Sequence, residues 1–116
     1  MAFAQDCPDI QGSVDKAYEA YEDAETEQSR VLIAEAYQSL NCQSEAVSSE
    51  ALMALYHLDA LTALSAEDPQ GAVYATIRAI SANPEATPPG SMGPEIAEMH
   101  ATWSARLKEA RLSLSV

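Results

Sequence analysis

Two cysteines, Cys7 and Cys42, bracket two amphipathic stretches joined by a short turn, which restricts the first third of the chain to a closed hairpin. The first stretch, about Ile10 to Ala24, sets Ile10, Val14, Ala17, Tyr18 and Tyr21 at the spacing of one helical face. Asp15, Lys16, Glu19, Glu22 and Asp23 fall on the other face. The second, about Thr26 to Asn41, puts Ile33, Ala36, Tyr37 and Leu40 on one stripe. Antiparallel helices with a short turn bring the start of the first beside the end of the second, and the cysteines flank those two ends. A separation of 35 positions is too wide for a redox C-x-x-C pair, and no further cysteine exists to build a metal cage. A disulfide is therefore expected. A reactive thiol pair is the alternative, but nothing nearby in sequence lowers a thiol pKa.

The compartment agrees with that pairing. Ala2-Phe3-Ala4 fits the small-x-small pattern that signal peptidase cleaves, with cleavage expected after Ala4. Residues 1–4 then read as the remnant of a cleavage region, Met1 as an added start codon and Gln5 as the first mature residue. Ala4-Gln5-Asp6 lacks the small and apolar residues of a lipobox, so Cys7 is not expected to carry lipid. An exported protein, periplasmic or extracellular, is the expectation, and structural disulfides belong in such compartments.

Residues 5–116 form one domain by length. Alanine, leucine and glutamate dominate, with four glycines and one phenylalanine, which predicts an all-α chain. A third helix is expected from about Glu45 to Ser65, capped by Ser44, with an apolar surface wide enough for neighbours on two sides. Asp68-Pro69 opens a fourth helix, and Asn83-Pro84 ends it after about Ala82. The predicted organisation is two antiparallel hairpins, about 10–41 and 45–82, a loop over 84–93 and a last helix over about 94–113.

Residues 53–86 carry a motif. Ala72 and Ala79 stand at the two small positions of a second helix, Pro84 at a terminal proline, Tyr56 at a first-helix aromatic and Ala60 at a small residue. This pattern resembles the tetratricopeptide repeat, a helix–turn–helix unit of about 34 residues. Asp59, Ala63 and Thr76 depart from it, falling where leucine, tyrosine and an aromatic are expected. In overall texture the chain is also similar to short, cysteine-bearing helical-repeat proteins that some Gram-negative bacteria export. The resemblance implies a right-handed α-α superhelix of about five helices. Its last helix would cap the open edge, and its first helices would line a peptide-binding groove. In that last helix Ile96, Met99, Trp103, Leu107, Ala110 and Leu114 form one stripe, and Arg106, Lys108 and Arg111 suit its C-terminal turns.

Charge narrows the partners. Eighteen acids against six lysines and arginines leave a net charge of −12, which opposes nucleic acid and anionic lipid. Residues 1–50 hold 11 acids against Lys16 and Arg30, the denser half. That surface reads either as a solvated face or as one that steers a basic partner. No stretch reaches the roughly 20 apolar residues of a membrane span. A phosphate loop, a nucleophile elbow and a zinc motif are all missing. His57 beside Asp59, or His100 beside Glu98, does not stack two ligands on one helical turn. No enzyme activity, metal or cofactor is expected. The expected job is binding a protein segment through a groove of the first and third helices. Its candidate lining is Tyr18, Tyr21, Tyr56 and His57, with Glu19, Glu22 and Asp23 supplying negative potential. At helical spacing, though, Tyr18 and Tyr21 are more often core residues than groove lining. Self-assembly into a homo-oligomer, ring or filament is the alternative.

Overall fold

The computed structural model describes residues 7, 9–43 and 47–114, with the side chains of residues 91 and 111–114 excepted. The expected cleavage remnant at 1–4 and the Ser44 cap lie outside the described residues. Five α-helices account for most of the rest: α1 (Ile10–Glu22), α2 (Thr26–Ser39), α3 (Ser49–Ser65), α4 (Pro69–Ala82) and α5 (Pro94–Leu114). Short 3₁₀ turns follow α2 at Leu40–Cys42 and precede α5 at Gly90–Met92. Among the described residues there is no strand, so the all-α expectation holds.

α1 pairs with α2 and α3 with α4, while α3 also packs against α1, α2 and α5. The pattern of α3 explains that central place. Buried side chains occur all round it, from Ala51, Met53 and Leu55 through Leu58, Ala60, Leu61 and Ala63, leaving no broad polar face. Ala60, Ala63, Ala72, Ala75 and Ala79 are all essentially inaccessible, and such small side chains let α3 and α4 approach closely. In the first hairpin the seam is tied by Ser29, whose buried hydroxyl donates to the Ala17 carbonyl at 2.7 Å. The molecule is elongated, 54 × 34 × 21 Å.

Helix ends follow local chemistry. Asp9, Ser48 and Asp68 each accept from the backbone N–H of the third residue of the helix they cap, Gly12, Ala51 and Gly71. α3 starts at Ser49, four residues later than expected, with Ser48 as its N-cap. α1 stops at Glu22 rather than Ala24. Ala24 adopts φ 64°, and the Glu25 N–H bonds back to the Ala20 carbonyl at 2.8 Å. A left-handed residue after a helix is usually glycine, so alanine there gives no stop signal. Along α5, Ile96 is buried and Met99, Trp103 and Leu107 are half-buried, but Ala110 is exposed. The expected stripe therefore leaves the core before the helix ends. No described helix is long and apolar enough to cross a membrane.

Cys7 and Cys42 are bonded, with Cα atoms 5.7 Å apart. The bridge closes the open end of the α1–α2 hairpin as the spacing predicts. The Gln43 side-chain amide, next to Cys42, donates to the Ser39 carbonyl at 3.2 Å.

Candidate functional site

Tyr18 and Tyr21 sit one turn apart on α1, half-buried against the core, with ring centroids 6.5 Å apart in an edge-to-face arrangement. Glu19 and Glu22 flank them and are exposed, and Asp23 is the exposed C-cap residue of the same helix. Both ion pairs among the described residues end on Asp59, so these three carboxylates have no ion-pair partner among those residues. Their field is therefore free to act on a partner, subject to salt screening.

The other two predicted lining residues face elsewhere. Tyr56 is half-buried and stacks on Tyr37 of α2, centroids 6.1 Å apart. His57 is 2% exposed and lies against His100 of α5. Thus Tyr18 and Tyr21 are brought together, whereas Tyr56 and His57 each pair with a residue that sequence reasoning did not connect to them.

Tyr56 borders a polar node built on Asp59, which is 7% exposed in the middle of apolar α3. Arg30 of α2 reaches its Oδ1 at 2.5 Å and also donates to the Asp59 carbonyl at 3.2 Å and to Thr62 Oγ1 at 3.0 Å. The Tyr37 hydroxyl donates to Asp59 Oδ2 at 2.5 Å. Burial, and then the hydrogen bond to Asp59 and its charge, push the Tyr37 phenol far above its usual range, so it keeps its proton and stays a donor. Arg78 of α4 places Nη1 3.7 Å from Oδ2 and its guanidinium 5.8 Å from the Tyr37 ring centre. Every strong acceptor site of Asp59 is occupied from α2 or α4, so it is not available to His57 as a metal partner. The departure from leucine at this position thus has a structural cause: the carboxylate clamps three helices. A lone acid inside an apolar helix is the sequence signal for such a node, since a buried charge needs a partner.

The histidine pair clamps α5. His57 Nε2 and His100 Nδ1 are 3.5 Å apart, and both rings are buried. Burial, then the neighbouring His100, push His57 down to about 4, and burial lowers His100 despite its hydrogen bond to the Ala86 backbone. Glu50 lines a cleft of about 310 Å³ with His57, and neither imidazole forms an ion pair among the described residues. A histidine whose folded pKa is depressed contributes stability that is fully present above its unfolded value near 6.5 and is lost as pH falls toward the folded value. For His57 the expected loss between about pH 7 and about pH 5 is about 2 kcal/mol. NMR titration of the two imidazoles checks this: His57 should titrate near 4, and His100 below its ordinary value of 6.5. A midpoint near 6.5 for both would show the pair to be solvated instead.

Among the described residues no cluster of three or more histidine, cysteine, aspartate or glutamate side chains could hold a metal ion. Comparison of the chain with protein-family models, curated proteins and solved structures finds no match, so the functional reading rests on this geometry alone.

Proposed function

We propose that this chain is an exported, non-enzymatic interaction module of tetratricopeptide-repeat-like type that binds a segment of another protein. The observation that carries the reading is the Tyr18–Tyr21 pair, half-buried and bounded by three carboxylates that have no ion-pair partner among the described residues. Tyrosine combines a large apolar ring with a polar tip and loses little entropy on binding, which suits a contact surface. The negative rim favours a basic segment and speeds its approach. The disulfide supports export, because it persists in an oxidising compartment. Residues 1–4 supply the matching cleavage pattern in the sequence.

Tyr21→Ala is expected to weaken partner binding about tenfold, with unchanged helix content by circular dichroism. Tyr21→Phe keeps the ring and should retain most of the affinity. Unchanged binding in both Tyr18→Ala and Tyr21→Ala would remove these residues from the site.

A second reading, self-assembly, draws on Val31 and Tyr74, which are 50% and 53% exposed on α2 and α4. Single exposed apolar side chains are common on monomers, and copies each carrying a charge of −12 repel one another. The first reading is therefore preferred. Light scattering that finds only monomer removes the second.

A further inference from the structure

A groove of about 440 Å³ runs between the end of α3 and the first half of α5. Leu64 and Met99, both half-buried and packed on the core, line it together with Trp103. Glu95 and Glu98 line it as well, exposed and three residues apart on one face of α5. Neither carboxylate has an ion-pair partner among the described residues, since both ion pairs there end on Asp59. Arg106 stacks 4.8 Å over the Trp103 ring, which helps hold the indole in place. The volume falls within the range of pockets that receive side chains or small ligands.

We infer that this groove docks a basic segment of a partner protein in which a lysine or arginine stands beside a large apolar side chain. The apolar side chain enters between Leu64, Met99 and Trp103, and the cation meets Glu95 and Glu98. Charge complementarity selects this occupant. A second copy of the chain, net −12, brings three acids for every base, and nucleic acid or anionic lipid would meet the same repulsion. The inference rests on the interaction-module reading and adds a site on α5 to the one proposed on α1. A partner that engages both would gain from the effective concentration of the second contact.

Trp103 is the one tryptophan of the chain, so its fluorescence reports on this groove directly. The test titrates the full oxidised chain with a short acetylated peptide alternating leucine and lysine, beside a matched leucine–glutamate peptide. The leucine–lysine peptide is expected to give a saturable change in Trp103 emission, and the leucine–glutamate peptide none. The double variant Glu95→Gln, Glu98→Gln should bind about tenfold more weakly. Glu27→Gln with Glu35→Gln, two exposed acids on α2, removes the same charge elsewhere and should change affinity less than about twofold. Equal losses in the two double variants would trace the effect to the overall charge of the chain and overturn the groove. So would the absence of any emission change, or a response to both peptides. None of these results touches Tyr18 and Tyr21, whose alanine variants test the interaction module separately.

Discussion

Reducing the Cys7–Cys42 bridge is expected to lower the unfolding free energy by about 4 kcal/mol. The bridge closes a loop of 35 positions, and the chain-entropy estimate depends on that length alone. Two features make the hairpin sensitive to its loss. Five of the eight buried residues of α1 and α2 are small, Ala17, Ala20, Ser29, Ala36 and Ser39, beside Ile10, Val14 and Ile33, so the hairpin offers limited apolar area. α1 also packs on α3, so fraying of the first hairpin uncovers one side of the central helix. Urea unfolding with and without reductant measures the effect. For a domain of this size the midpoint should fall by about 2 M in reductant, and Cys7→Ser with Cys42→Ser should reproduce the reduced curve. A shift below about 0.5 M would mean that the helical contacts hold the hairpin without the bridge.

Asp59→Ala is expected to cost about 3 kcal/mol. It leaves the Arg30 guanidinium and the Tyr37 hydroxyl without their acceptor. Removing one partner of a buried pair costs more than the intact pair contributes. Arg30 keeps about a third of its side-chain surface in water, which holds the figure toward the low end of the usual range. Asp59→Leu restores the residue type that the repeat resemblance expects, yet it should still destabilise while Arg30 remains. Adding Arg30→Met should recover much of that loss, because the second charge is then gone as well. Chemical denaturation of the two single variants and the double variant measures the coupling. Additive losses would show that Arg30 and Asp59 do not act as a unit.

The sequence made some parts of this fold readable and concealed others, for identifiable reasons. The bounds of α4, Pro69–Ala82, are legible in sequence because Asp68-Pro69 and Asn83-Pro84 are strong punctuation. The disulfide was legible because topology and spacing converge on it. The start of α3 was blurred by several serines in a short span, each able to cap, so only geometry selects Ser48. The end of α1 was hidden by an alanine doing what glycine ordinarily does.

At the site level, Tyr18 and Tyr21 share a helix face and could be paired by periodicity. Tyr56 with Tyr37, and His57 with His100, join different helices. Those pairings depend on how α2 and α5 lie against α3, which no local pattern encodes. The histidines stand 43 positions apart, and a proline-rich loop lies between them ahead of α5. The groove at Leu64 and Trp103 has the same origin, so periodicity showed α5 as a stripe but not the cleft beside it.

The central claim is that this chain acts by binding a basic protein segment. Its most direct test is affinity capture from envelope extract with the oxidised chain as bait, eluted in a salt gradient. A parallel column carries the Tyr18→Ala, Tyr21→Ala variant. The account predicts one dominant protein that leaves the first column as salt rises and is missing from the second. Equal recovery of the same proteins from both columns, or recovery of only the bait's own untagged copies, would contradict it.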